Sequence, residues 1–419
     1  MRIIKFFAVI LIAGLVGYYI GVTKISLDWK SFQPRIEVEG KEPPASLSHI
    51  DFSKFWAVME RVNENYYDKK AVDSQKMLDG AIAGMVDSLD DPYTVYLPPV
   101  QNTDFKQGLA GEFSGIGAEL GMKDKQVVVV SPLDGSPAER AGIKAGDAIV
   151  KVNDEFTVGW SLNQTVEKIR GPKGTEVALT VVQKDQKESK ILKIQRDTIT
   201  IKSVTSWVKP IKDVENITLS QTLKASQNDK VAYIRLSQFG DNTNKEWLEL
   251  SNSLSLQLTN DKSIKGIVLD LRNNPGGYLT DAVFIASEFL KKGTPVVLQD
   301  DGNGKTGKLV VERNGLMLEV PLVILINKGS ASASEILAGA MQDYDRAILV
   351  GETSFGKGTI QNAEDLGEGA GLHVTIAKWL TPNGTWVHKV GLTPEIKVEL
   401  STKEPERDIQ LEKALEELL

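Results

Sequence analysis

The run Val323-Ile324-Leu325-Ile326 is apolar at four successive positions, the pattern of a strand covered on both faces. It passes directly into Asn327-Lys328-Gly329-Ser330-Ala331-Ser332-Ala333-Ser334-Glu335-Ile336, a small-residue turn. A helical pattern (Ile336, Leu337, Ala340, Met341) then runs to about Asp343-Tyr344. A doubly covered strand that turns sharply into a helix requires helices layered on a sheet. Such a turn also holds hydroxyls beside backbone N–H groups at a helix N-terminus, a place suited to an anion. Other segments repeat the alternation. Strands are expected at 231–236, 266–271, 296–298, 347–350 and 374–379. The second runs into Arg272-Asn273-Asn274-Pro275-Gly276-Gly277 and a helix through Ala282, Ile285, Ala286 and Phe289. The fold class expected is α/β.

A chain of 419 residues exceeds one small core, so two or three domains are expected. A net charge of -7, with no Lys/Arg stripe, argues against nucleic acid as a partner. Cysteine is absent, which excludes thiol catalysis, disulfides and Cys-based metal sites. The histidines are His49, His373 and His388, so a multi-histidine metal site is improbable and a Ser-His-Asp triad would have to draw on one of these three.

Taken in order, residues 1–24 read as an uncleaved signal anchor. Arg2 and Lys5 precede an apolar run from Phe6 to Val22, and Lys24 ends it. Basic residues ahead of the run put the bulk of the chain outside the cytoplasm, a single-pass membrane arrangement. Residues 25–48, with Pro34, Pro43 and Pro44, read as a linker. Residues 49–108 form a helical region with two apolar faces: Phe52, Phe55, Trp56, Met59 and Val62, then Met77, Ile82, Met85, Val86 and Leu89. Those faces suit packing within the chain or against a second subunit. Residues 204–230 read as a polar linker, and 401–419 as a charged C-terminal helix.

Residues 109–197 are a unit of short strands with glycine turns. Phe113-Ser114-Gly115-Ile116-Gly117, Ser136-Pro137-Ala138-Glu139-Arg140-Ala141-Gly142-Ile143 and Ala145-Gly146-Asp147-Ala148-Ile149 follow one another, then a helix with Leu162, Val166 and Ile169 on one face. The unit resembles a PDZ domain. The N–H groups of Gly115, Ile116 and Gly117 could take a peptide's terminal carboxylate, and the strand after them could pair with an extended tail. Arg170, at the end of the helix, reads as a solvated charge.

A serine nucleophile needs a base, and its oxyanion needs pre-aimed donors. Lys357, in Gly351-Glu352-Thr353-Ser354-Phe355-Gly356-Lys357-Gly358-Thr359-Ile360-Gln361, could be that base if its amine is neutral, and the Gln361 amide could orient the amine without charging it. Chemistry alone leaves Ser330, Ser332 and Ser334 equal.

From about residue 52 to 396 the chain resembles the carboxy-terminal processing, or tail-specific, proteases. The resemblance rests on Asp91-Pro92-Tyr93-Thr94-Val95-Tyr96-Leu97, the PDZ unit, Asp270-Leu271-Arg272-Asn273-Asn274-Pro275-Gly276-Gly277, Ser330-Ala331-Ser332-Ala333-Ser334-Glu335 and the stretch 351–361. It implies a crotonase-like (ClpP/crotonase) α/β protease core over 198–400 with an inserted PDZ domain. It implies a serine–lysine dyad of Ser332 and Lys357 supported by Gln361, and an oxyanion hole from the N–H groups of Gly276 and Ala333. It implies protein or peptide substrates with apolar C-terminal tails and no metal or cofactor, and leaves a homodimer and an activating partner protein as open options. The alternatives are a non-catalytic anchored PDZ scaffold, a crotonase-type acyl-thioester enzyme, and a Ser-His hydrolase using His373 or His388.

Overall fold

The computed structural model describes residues 25–27, 34–36, 45–123, 126–133, 135–183, 188–217, 228–399 and 407–419. The expected anchor over 1–24 lies outside the described residues. Among the described residues no helix is long and apolar enough to cross a membrane. The expectation of a single-pass membrane protein with an extracytoplasmic catalytic part is therefore corrected and not carried further. The chain divides into two compact units. One gathers residues up to 105 with 298–307 and 358–380, and the other holds 106–297, 308–357 and 381–419.

The second unit contains a six-stranded sheet whose spatial order follows the sequence: β1 (Val204–Pro210), β2 (Lys230–Leu236), β3 (Ile264–Asp270), β4 (Leu322–Ile326), β5 (Ile348–Gly351) and β6 (Ile396–Lys397). Only β1 is antiparallel to its neighbour; the pairings from β2 to β6 are parallel. Parallel strands need crossovers, supplied by α1 (Thr243–Asn260), α2 (Leu279–Ala286) and α3 (Ala333–Asp343). The C-terminal helix α4 (Ile409–Leu418) lays Leu411, Ala414 and Leu415 against Val268, Val323, Leu325 and Val350. Strand residues of the alternate set, Ile267, Leu269, Ile324 and Leu349, are fully buried too. A sheet covered on both faces explains why β4 reads as an unbroken apolar run.

Two elements of this sheet layer departed from the sequence expectation. The stretch 204–230 was expected to be a linker, yet Val204–Pro210 is the edge strand, with Trp207 stacked on Tyr233 at 4.9 Å and 9°. Its apolar residues fall at 204, 207 and 208, so no period of two marks it. Helix α1 was not foreseen. It carries five serine and asparagine residues between positions 251 and 260, poor helix formers, and it buries only Thr243, Trp247, Ser251 and Leu254.

A buried ionic knot closes the carboxyl end of β3. Asp270, 1% exposed, accepts from Tyr233 Oη at 2.7 Å, Arg272 Nη2 at 2.6 Å and Arg235 Nη1 at 2.9 Å. Arg272 reaches on to both carboxylate oxygens of Asp408 (2.9 and 2.8 Å) and to Gln410 (3.0 Å), tying α4 to this loop. Burial pushes the Asp270 carboxyl up, but the hydrogen bond and charge of Arg272, with Arg235 and Tyr233, hold it below its usual range. A depressed carboxylate stabilises the fold above its unfolded value near 3.8, and that stabilisation is lost as pH falls below it. Asp270→Ala should cost about 3 kcal/mol, because the half-buried Arg235 loses its carboxylate and Arg272 keeps only that of Asp408. Chemical denaturation at neutral pH checks this, and a loss under about 1 kcal/mol would contradict it.

The PDZ-like region has its own five-strand path, with Ala118–Lys123 on one edge and Ser189–Gln195 on the other. Its core is Val127, Val129, Ile149, Val177, Leu179 and Val181. An antiparallel ribbon, Glu112–Gly115 with Asp197–Thr200, joins its ends.

In the first unit, 25–48 is more than a tether, since Ile25–Leu27 pairs antiparallel with Pro34–Ile36. Helices Ser53–Asn65 and Ser74–Asp87 cover most of the two expected stretches. The first buries none of its residues and leaves Trp56, Val58 and Val62 exposed. The second is capped by Asp73, which accepts from the N–H groups of Gln75 and Lys76, and its Val86 packs with Tyr96 and Ala370.

Candidate active site

Three loops leave the carboxyl ends of adjacent parallel strands: Leu271–Gly277 after β3, Asn327–Ser332 after β4, and Glu352–Lys357 after β5. Open α/β sheets build their sites at that edge. The first two loops are stitched by asparagines. Asn327 Nδ2 donates to Asn273 Oδ1 at 2.9 Å, and its Oδ1 accepts the N–H of Asn273 at 2.8 Å. Asn274, fully buried, donates to the Leu236 carbonyl at 2.9 Å and accepts the Ala331 N–H at 3.0 Å on its own carbonyl.

The three serines have different surroundings. Ser330 is buried, donates to the Leu271 carbonyl at 2.8 Å and accepts the Asn327 N–H at 3.0 Å. Ser334 is buried and bonded to the carbonyls of Asn274 and Ala331, each at 2.7 Å. Both hydroxyls thus serve the turn. Ser332 is half-exposed and sits at φ +56°, ψ -115° on the strand-to-helix corner. A non-glycine residue there carries about 1–3 kcal/mol of strain, which surrounding bonds must offset. Strained corners of this kind present a nucleophile's oxygen at the top of an α/β sheet.

Gly276 (φ +96°) lies against that corner. A Cβ on it would fall 2.8 Å from Ser332 Cβ and 2.9 Å from the Ala333 nitrogen, so only glycine fits. Its N–H donates to Asn274 Oδ1 at 2.9 Å. Ala333 opens α3, where first-turn N–H groups have no partner within the helix.

Lys357 joins the corner through Glu335, a residue the motif contained but to which the sequence gave no role. One carboxylate oxygen of Glu335 accepts the backbone N–H of Ser332 at 2.8 Å and that of Lys357 at 2.9 Å. The other accepts from Ser354 Oγ at 2.5 Å and from the Gly356 N–H at 2.7 Å. Glu335 is 1% exposed. The available signal was its place three residues after Ser332, the capping-box spacing.

Gln361 belongs to the other compact unit, on the strand Thr359–Gly367, where its amide nitrogen donates to Thr359 Oγ1 at 2.9 Å and Thr375 Oγ1 at 3.0 Å. His373 packs edge-on to Phe105 at 4.4 Å, and His388 stacks on Trp386 at 5.0 Å. In the PDZ-like region Gly115 ends a strand, Ile116 is buried and Gly117 is at φ +73°. The carbonyls of Ile116 and Gly117 are taken by the N–H groups of Ala138 and Leu133. The edge strand Ala118–Lys123 that follows contacts the helix Leu162–Ile169. Arg170 caps that helix and lies 5.1 Å over the Phe113 ring.

One further carboxyl stands on the helix that follows the loop 271–277. Asp281, on the first turn of α2, is buried and pushed up to about 6 by burial, with Asp241 adding and Asn244 opposing. Its folded value is above its unfolded 3.8, so stability should fall as pH rises from about 4 to about 6 and then level off. Asp281→Asn should flatten that segment of a stability-versus-pH curve, and an unchanged slope would refute the assignment.

The pattern of "Peptidase family S41" matches residues 230–398, a PDZ domain pattern matches 105–182, and "Activating protease CtpB N-terminal domain" matches 11–99. The carboxy-terminal processing protease CtpA of Bacillus subtilis is 37% identical over 85% of this chain and 71% of its own length. CtpB of the same organism is 35% identical over 92% of this chain and 75% of its own length. A solved structure of a putative S41 protease from Bacteroides fragilis, at 14% identity, covers 87% of this chain and 97% of that one with a TM-score of 0.53, a likeness of fold. The chain belongs to peptidase family S41. Within it, the protein is a carboxy-terminal processing protease, a serine-type endopeptidase with a PDZ domain.

Proposed function

We propose that Ser332 is the nucleophile of this endopeptidase and Lys357 its general base. The observation that carries this reading is the shared oxygen of Glu335, which brings the backbones of two residues far apart in sequence to one atom. The Lys357 amine takes the Ser332 proton as Oγ attacks the peptide carbonyl carbon. The tetrahedral oxyanion is held by the N–H groups of Ala333 and Gly276, the latter shared between Asn274 Oδ1 and the substrate once substrate is bound. The lysine ammonium returns the proton to the departing amine, leaving an acyl-enzyme. Water, deprotonated by the same amine, then releases the new C-terminus. Gln361 takes its supporting role from the family pattern alone. The core in this reading is crotonase-like over 198–400, with the PDZ domain at 109–197.

Gly115, Ile116 and Gly117 with the edge strand after them bind the substrate's apolar C-terminal tail or gate the site. The exposed apolar side of the helix Ser53–Asn65 is the place for a second copy of the chain or an activating partner. Neither histidine chemistry nor a purely scaffolding role explains why Ser332 alone of three clustered serines is solvent-reached.

The test is covalent trapping. Treatment with a fluorophosphonate followed by peptide mapping should place the adduct on Ser332, and Lys357→Ala should suppress it. An adduct on another serine, with Ser332 unmodified, overturns the assignment.

A further inference from the structure

The sheet of the PDZ-like region has a second edge, the strand Ser189–Gln195, on the side away from Ala118–Lys123. The end of that strand, the short helix Pro137–Arg140 and the turn at Lys173-Gly174 enclose a cavity of about 430 Å³. Arg140, Lys173, Lys193 and Arg196 line it, and Asp197 supplies the one carboxylate among the described lining residues. That carboxylate is shared, since Lys173 Nζ lies 3.0 Å from its Oδ1 and Arg140 Nη2 lies 4.0 Å from its Oδ2. Lys193 Nζ lies 3.4 Å from Glu176 Oε1. Four cations thus meet two carboxylates, a local excess of two positive charges in a chain of net charge -7.

Arg196 is the member of this group that water does not reach. It is 8% exposed, and its guanidinium donates to the Ile169 carbonyl at 2.7 Å, to Thr175 Oγ1 at 2.9 Å and to the Glu176 carbonyl at 3.1 Å. Those oxygens satisfy its donors but carry no net charge, and no carboxylate among the described residues forms an ion pair with it. Burial accordingly pushes the guanidinium below its usual range, with no acid opposing the shift. A buried cation without a counter-charge is costly, and a cleft lined by one sign of charge concentrates ions of the other.

We propose that this cavity binds a small dianion of the phosphomonoester class. Two negative charges match the excess of two, and Arg140 and Lys173 provide the exposed donors that suit phosphate oxygens. Arg196 contributes charge alone, its donors being turned to protein oxygens. Asp197 competes with the ligand for the same pair of cations. The site is separate from the proposed tail groove, for its lining includes neither Gly115–Gly117 nor the strand Ala118–Lys123, and a peptide's terminal carboxylate bears only one charge.

The experiment titrates the full chain at constant ionic strength and about pH 7.5, where a phosphomonoester has lost its second proton. The probes are phenyl phosphate and phenyl sulfate, alike in shape and unlike in charge. Phenyl phosphate should bind saturably, and phenyl sulfate at least about tenfold more weakly. Arg140→Ala and Lys173→Ala should each weaken phenyl phosphate at least about fivefold, and Lys245→Ala, at an exposed lysine of α1, should change it less than about twofold. Asp197→Asn should tighten it about fivefold, a change that a damaged fold would not produce. Absence of saturable binding, equal affinity for the two probes, or binding that survives both alanine substitutions overturns the site. Flotation of the chain with phosphatidic acid vesicles over phosphatidylcholine vesicles, lost in the same two variants, would support a lipid headgroup as the source. Phenyl phosphate binding without that flotation would support a soluble ester.

Discussion

Ser332→Ala is expected to lower kcat/KM for an unfolded protein substrate by about 10⁴-fold or more, with little change in KM. The alanine fits the corner sterically, so the loss is one of chemistry and the melting temperature should hold or rise. Relief of part of the hydroxyl's constraint at φ +56° does not remove the backbone strain, which alanine shares. Lys357→Ala should give a loss of similar size, and the double variant should be no worse than either single one. That non-additivity is the signature of two groups acting in one step. Multiplying losses would mean that the residues act independently. Persistent cleavage in both single variants would remove the dyad altogether.

The second large effect belongs to Glu335. Its carboxylate accepts four donors, from Ser332, Lys357, Gly356 and Ser354. Glutamine has one acceptor oxygen and would turn an NH₂ group toward two of those donors, so the isosteric change is not conservative here. Each buried donor left unsatisfied costs about 1–3 kcal/mol. Glu335→Gln should therefore reduce kcat at least about 100-fold and lower the denaturant midpoint clearly, while the PDZ domain still binds a tail peptide. Peptide binding unchanged beside a lost kcat identifies positioning. A variant with wild-type turnover would show that the shared carboxylate does not set the site.

The parallel core was legible because its strands are covered on both faces, and the apolar run 323–326 falls within the observed strand Leu322–Ile326. The edge strand Val204–Pro210 and the helix Thr243–Asn260 were not, since one shows no period and the other is rich in serine and asparagine. The strand–turn–helix at Ser332 could be read from its small residues, but its positive φ and its meeting with Gly276 depend on long-range packing. The role of Glu335 needed the third loop, because three of its four donors come from Ser354, Gly356 and Lys357. Family resemblance ranked the three serines at the outset. The burial of Ser330 and Ser334 gives that ranking a physical cause.

The Arg272–Asp408 clamp also bears on the order in which the molecule is made. Ser332 and Lys357 leave the ribosome before Asp408 and Gln410, at about 5–20 residues per second. Until α4 docks, Arg272 lacks half of its partners and the loop carrying Gly276 lacks its brace. The loop carrying Gly276 therefore gains its brace only after the segment that bears Asp408 and Gln410 has been made.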